Sequence, residues 1–350
     1  MIPATLKRTN EWKSKDIVFC LTHDAESQRV WLGGSDFGVY EFDTSSEKPE
    51  RQAFEGEGHT SYVTGMVRIG QVLVTCSYDG RLCWWDVDER KLIRRIDGHE
   101  RWARAIVASP DESTLYTVAD DMLCKAWDAK SGEPLQTLQE HAPQTPHHYP
   151  SMLYAVAISP DGQWLATGDR VGHTAIWNTD SHDKVGELET PVMYTWDPRA
   201  RRHSIGGIRS LAFSPDSKEL AVGGIGKIGN IDHLGGPARL EVFDWQSGTR
   251  RLELEDNKKK GLIEQIVWSP GKEWILTAGG DNNGFLTFYD ADSGELLHQD
   301  GQNAHIHEIS AGPDFQQIFV AAHEKLTRWT MLTEKPVAET QDGVDSGAKP

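Results

Sequence analysis

The sequence predicts an all-β fold, a single seven-bladed β-propeller, and three observations predict it. An aromatic residue, usually followed by Asp, returns seven times: Phe42, Trp85, Trp127, Trp177, Phe243, Tyr289 and Trp329. The intervals between them are 43, 42, 50, 66, 46 and 40 residues. A repeat of ~40–45 residues closing on Trp-Asp is the mark of one four-stranded blade, and seven markers mean seven blades. Finally, a Ser-Pro-Asp turn or a near variant recurs at Ser109, Ser159, Ser214, Ser269 and Gly312. It separates the first and second strands of a unit.

The clearest unit runs from Gly58 to Asp86. A Gly-His pair opens it, a hydroxyl-bearing strand crosses its middle, Asp79-Gly80 makes a tight turn, and Trp85-Asp86 ends it. The next unit repeats this layout with Gly98-His99, Thr117, Asp121 and Trp127-Asp128. Strands on either side of the Ser-Pro-Asp turns are apolar, as in Ile208, Leu211 and Phe213, then Leu220, Ala221 and Val222. Blades stacked face to face bury both sides of each sheet and read this way. Residues 4–9 align with Lys91–Ile96 and Arg251–Asp256, where outermost strands are expected. The domain is expected to span residues 1–332. The polar, Gly- and Pro-containing segment 333–350 is expected to be a disordered tail.

This arrangement resembles the WD-repeat (β-transducin-repeat) family, and the resemblance covers most of the chain. It implies that the N-terminal strand closes the last blade and removes the free sheet edge. It also implies a buried hydrogen-bonded chain of His, hydroxyl, Asp and Trp in each well-formed repeat. His59, Thr75, Asp79 and Trp85 match it, as do His99, Thr117, Asp121 and Trp127. A His-Asp-hydroxyl set invites a catalytic reading. Its recurrence in adjacent repeats argues for scaffold instead, because a buried polar network must satisfy its own members. Elsewhere the pattern departs: Val171 stands at the turn Asp position of the fourth unit, and His323 at that of the last.

The net charge is -17, with 53 acidic against 36 basic residues. That balance argues against general binding to nucleic acid or to an anionic membrane. Four cysteines at irregular spacing make neither a disulfide framework nor a zinc site. The N-terminus carries no apolar h-region, and no stretch approaches ~20 apolar residues, so a soluble, cytoplasmic protein is expected.

The two long intervals carry the functional signal. Three insertions account for them: His141–Pro150, Pro191–Gly207 and Gly224–Pro237. All belong to junctions that open on one face of a propeller, above blades four and five, and the loop Asp256–Gly261 joins them. Loops on a rigid scaffold are where such folds place function. The cluster gathers Arg199, Arg201, Arg202, Lys227, Lys258, Lys259 and Lys260 on an otherwise acidic chain. It adds Tyr149, Tyr194 and Trp196, with His147, His148, His203 and His233. Arg, Tyr and Trp carry interface hot spots. The expectation is therefore a non-catalytic, monomeric docking scaffold for a protein partner with an acidic or phosphorylated segment, without metal or cofactor. The competing reading is a small-molecule, phosphate or metal-dependent enzyme site in the same loops. Its two candidates are the run GIGKIGN, which lacks P-loop spacing, and the histidines with Asp232, none at a recognised ligand spacing.

Overall fold

The computed structural model describes residues 5–332 except 25, 47, 198, 200–202 and 313. Seven four-stranded antiparallel sheets follow one another along the chain, each a meander running from inner to outer strand. The inner strands are Val18–Asp24, Val63–Ile69, Ala103–Ala108, Leu153–Ile158, Ser210–Phe213, Leu262–Trp268 and Ile306–Ala311. The seventh sheet lacks an outer strand of its own until Thr5–Lys13 pairs antiparallel with Lys325–Leu332. Both ends of the described chain thus lie in one blade, and the ring has no open seam.

A single sheet of this kind cannot bury its two faces alone. Among the described residues, one apolar cluster lies between each pair of neighbouring blades. The marker aromatics supply the wedges. Trp85 packs against blade one, Trp127 against blade two and Trp177 against blade three, each 5% exposed or less. Phe42 closes the circle by packing against blade seven.

Polar groups inside the blades are paired. His59 Nε2 lies 2.7 Å from Thr75 Oγ1, and the Trp85 indole donates to that hydroxyl at 2.9 Å. His59 Nδ1 faces Asp79 at 3.3 Å. Burial alone would raise the Asp79 pKa, but the His59 and Thr60 N–H hydrogen bonds hold it far below the usual carboxylate range. Blade three repeats the set with His99, Thr117, Asp121 and Trp127. Gly80, at φ 78°, permits the turn: a Cβ there would sit 2.3 Å from the His99 carbonyl oxygen.

The fourth blade corrects the sequence reading. Val171 does not leave the network without its acid. Asp169, two residues beyond Thr167 instead of four, supplies the carboxylate from the end of the strand. It lies 3.0 Å from His141 Nδ1, while His141 Nε2 lies 2.8 Å from Thr167 Oγ1 and Trp177 donates to the same hydroxyl. Asp169 also accepts from the backbone N–H groups of Val171 and His173.

Two irregularities recur around the ring. Six of the seven inner strands slip register after their first residues. The residues passed over, or left unpaired before the ladder starts in blade five, are Phe19, Thr64, Arg104, Tyr154, Arg209, Glu264 and His307. Six outer strands slip beside the marker aromatic, at Thr9, Ile93, Leu135, Val185, Arg251 and Leu297. All four cysteines are buried and unbonded to one another.

Asp169→Ala leaves the His141 ring and two backbone N–H groups without their acceptor. It is expected to cost about 3–5 kcal/mol in urea unfolding, against about 1 kcal/mol or less for Val171→Ala. Trp127→Ala removes a wedge and is expected to cost ~3–5 kcal/mol in the same assay.

Candidate functional site

The three insertions meet. Residues 191–207 are not a bare loop, as the sequence suggested. A 3-10 turn at Pro191–Met193 leads into a two-stranded hairpin, Tyr194–Asp197 with His203–Gly206. The hairpin rests on an apolar patch of Ile225, Ile228 and Leu262, with Ile205 and Leu234 against it. The Ile228 N–H donates to Thr195 Oγ1 at 3.1 Å, tying the 224–237 insertion to the hairpin. Gly207 bends at φ 104° where a Cβ would lie 2.7 Å from the Arg170 Cα.

Residues 141–150 lean on the hairpin from the other side. The His147 ring stacks on Trp196, with centroids 4.3 Å apart and planes 15° apart. Its Nδ1 lies 2.7 Å from the Tyr194 hydroxyl. Tyr149 contacts both Trp196 and His203. The loop turns at Thr145 and His148, the latter exposed at φ 71°. Burial and the neighbouring Arg170 charge lower the His203 pKa, so this cation-rich corner disfavours a further proton. Five of the candidate residues therefore form one aromatic ledge: His147, Tyr149, Tyr194, Trp196 and His203.

The cations stand on the hairpin turn, the 224–237 insertion and the end of the blade-five outer strand. Arg199, Lys227, Lys258 and Lys260 are exposed, and none of them forms an ion pair among the described residues. Arg201 and Arg202 lie outside the described residues. Asp256–Gly261, read from the sequence as a loop, is mostly strand. The outer strand of blade five runs on to Lys260, which pairs with Pro237 across a register slip. The reason is the insertion itself, which lengthens the third strand and gives the outer strand more to pair with. Arg239, 2% exposed, fastens the two strands through Glu241, Glu253 and Glu255. Lys259 leans away toward Gly301 of blade six. His233 stands exposed at the tip of its insertion.

The competing chemistry finds little here. Gly226 of GIGKIGN faces a carboxylate: a Cβ there would lie 2.7 Å from Glu255 Oε1, a poor neighbour for phosphate. No group of three or more His, Cys, Asp or Glu among the described residues is placed to hold a metal. No helix is long and apolar enough to cross a membrane.

Sequence reasoning missed Arg170, which donates to the Ser204 carbonyl and approaches His203 from a blade-four turn. It also missed the axial channel, a cavity of about 1170 Å³ lined by all seven inner-strand slip residues. The signal was present. In five units the slip residue follows the aliphatic or alanine that opens the inner strand, as in Val18-Phe19, Leu153-Tyr154 and Ile306-His307, and in the other two Arg209 and Glu264 follow Ile208 and Ile263. Behind this ring, His305 pairs with Glu264 at 3.2 Å. Burial works against the charge on both, yet the pairing raises His305 and lowers Glu264.

Glu308 has no such partner. Burial pushes it up to about 8, opposed only by the Leu21 N–H it accepts. A carboxyl raised in the folded state favours folding below its ordinary value of 4.5 and loses that advantage as pH climbs toward about 8. Glu308→Gln is expected to remove this slope. Melting temperatures of variant and parent, compared from pH 4.5 to 8, should diverge in the variant's favour as pH rises.

Comparison with known proteins agrees with the fold. A family model described as "WD domain, G-beta repeat" matches residues 51–86, 90–128 and 132–178. Eukaryotic translation initiation factor 3 subunit I of Lodderomyces elongisporus is 26% identical over 242 residues, 65% of this chain and 61% of that protein. Its namesake in Candida albicans is 24% identical over 247 residues, covering 67% and 63%. The chain therefore spans about three-fifths of the length of these relatives. Protein groucho of Drosophila melanogaster is 27% identical over 160 residues, 45% of this chain and 21% of that protein. The three matched repeats are blades two, three and four of a closed ring of seven blades of one strand order, so the chain is a seven-bladed β-propeller that contains WD repeats.

Proposed function

We propose that the chain is a non-catalytic scaffold that docks a protein partner on the ledge above blades four and five. The observation that carries this reading is the combination of a packed aromatic platform with unpaired cations at its border. Trp196 and Tyr149 are half-buried, each held by a ring neighbour, so little side-chain freedom is lost when a partner covers them. Arg199, Lys227, Lys258 and Lys260 are free to meet carboxylates or phosphates. An acidic or phosphorylated segment is the complementary occupant. On a chain of net charge -17, a local cationic border also orients such a partner before contact. Two of the relatives are, by name, a subunit of a multi-subunit factor, which accords with a role in assembly. The propeller would act as a monomer in the cytoplasm.

Affinity capture from the native source, followed by identification of what is retained, tests the reading. The combined change Arg199→Glu, Lys227→Glu and Lys258→Glu is expected to abolish retention while leaving the melting temperature unchanged. Trp196→Ala is expected to weaken retention by roughly tenfold or more, the size of an interface hot spot. Retention that survives both changes overturns the assignment of the ledge.

A further inference from the structure

The axial channel has a charge balance that the ledge does not explain. The seven slip residues project into it at one level, one from each blade. Two of the charged members are neutralised where they stand. Arg104 donates from Nε and a terminal nitrogen to Asp120, both at 2.7 Å, and its remaining terminal nitrogen donates to the Tyr78 hydroxyl. Glu264 is paired with His305. Glu308 lines the same channel, and burial raises its carboxyl pKa.

Arg209 is left over. Its guanidinium lies over the Tyr154 ring, 3.8 Å from the centroid. The Nε is buried and has no acceptor, and no ion pair reaches this side chain among the described residues. His307 is in a similar position across Glu264. Its ring is held between Phe19 and His305, at 4.9 and 4.5 Å, and its buried Nε2 has no partner among the described residues. Burial and the adjacent His305 keep His307 neutral, so one ring nitrogen carries an N–H to donate. Both side chains border the one cavity, and both bear electrostatically on Glu264.

Arg209 is half-buried, yet its buried Nε has no acceptor, and the buried His307 Nε2 has no partner; such unpaired polar atoms are costly. One ligand relieves both costs. We propose that the axial channel binds a small free oxyanion, a carboxylate or a phosphate, held by Arg209 and His307. An oxyanion offers several acceptor oxygens to donors on different blades, and His305 offsets the carboxylate of Glu264 on the blade between them. The two nitrogens are buried within the ring their side chains share with Phe19, Arg104 and Tyr154. What reaches them is therefore small and separate from the partner on the ledge.

Calorimetric titration of the whole chain with inorganic phosphate, and separately with acetate, tests the proposal, with the His307 ring followed by NMR. Saturable one-to-one binding of either anion is expected, with a shift of the His307 signals. Arg209→Met keeps a long side chain over Tyr154 and removes the charge; it is expected to weaken binding by roughly tenfold or more. His307→Phe should weaken it by a smaller factor. Lys258→Glu with Lys260→Glu should leave it unchanged, which separates the channel from the ledge. If Arg209→Met does not fold, Arg209→Lys carries the same test, since it keeps the charge but loses the planar donor fork. Absence of saturable binding to the unaltered chain overturns the proposal. So does binding that the ledge variants abolish and the Arg209 and His307 variants spare.

Discussion

Each blade depends on its neighbours because a four-stranded sheet with two apolar faces has no stable isolated state. Trp85, Trp127 and Trp177 are each carried by one sheet and buried against the preceding one. The stabilisation is therefore cooperative around the circle, and it holds only if the circle is complete. Pairing of Thr5–Lys13 with Lys325–Leu332 completes it. The same pairing makes one blade depend on strands more than three hundred residues apart in sequence. Nothing in the ring requires blades to be identical. It requires only that each offers a face that fits the next, and this latitude lets the fourth and fifth blades carry large additions on one rim.

The ring was legible in the sequence because its determinants are periodic. Aromatic-Asp pairs, Ser-Pro turns and apolar runs all recur at blade spacing, and Phe42, Phe243 and Tyr289 keep the period where Trp is replaced. What the sequence concealed is mostly local geometry that breaks the period. Asp169 was overlooked because the fixed offset from hydroxyl to acid points to Val171. The structure satisfies the same hydrogen bonds from a carboxylate two residues nearer. The length of the blade-five outer strand was concealed for a related reason. The run Asp256–Lys260 is charged and looks like a loop, yet Asp256 and Lys260 pair with Ala238 and Pro237 of the lengthened strand ending at Asp244, with three residues passed over between them.

The candidate site was legible in composition and only partly in arrangement. Insert lengths placed the aromatics and cations in one sector. They did not reveal that Tyr194–Asp197 and His203–Gly206 would pair, or that His147 would be clamped between Tyr194 and Trp196. The channel residues were harder to see. Each slip residue is an isolated member of its own unit, and Phe, Thr, Arg, Tyr, Glu and His share no chemistry. Only their common place in the inner strand unites them, and that place is a property of register rather than of residue type.

The slips on the outer strands have a consequence for how such discs coexist. A ring of sheets abolishes the seam between first and last blade but still presents a strand edge at the circumference of each blade. Those edges carry unpaired backbone groups and, in blades two to four, the exposed aliphatics Ile93, Leu135 and Val185. A straight edge of this composition would recruit a strand from another molecule. The extra residue beside six of the seven marker aromatics kinks those edges, so that consecutive N–H and C=O groups no longer lie in one line. Copies of the chain that meet at their circumferences then present bent edges rather than straight templates for strand addition.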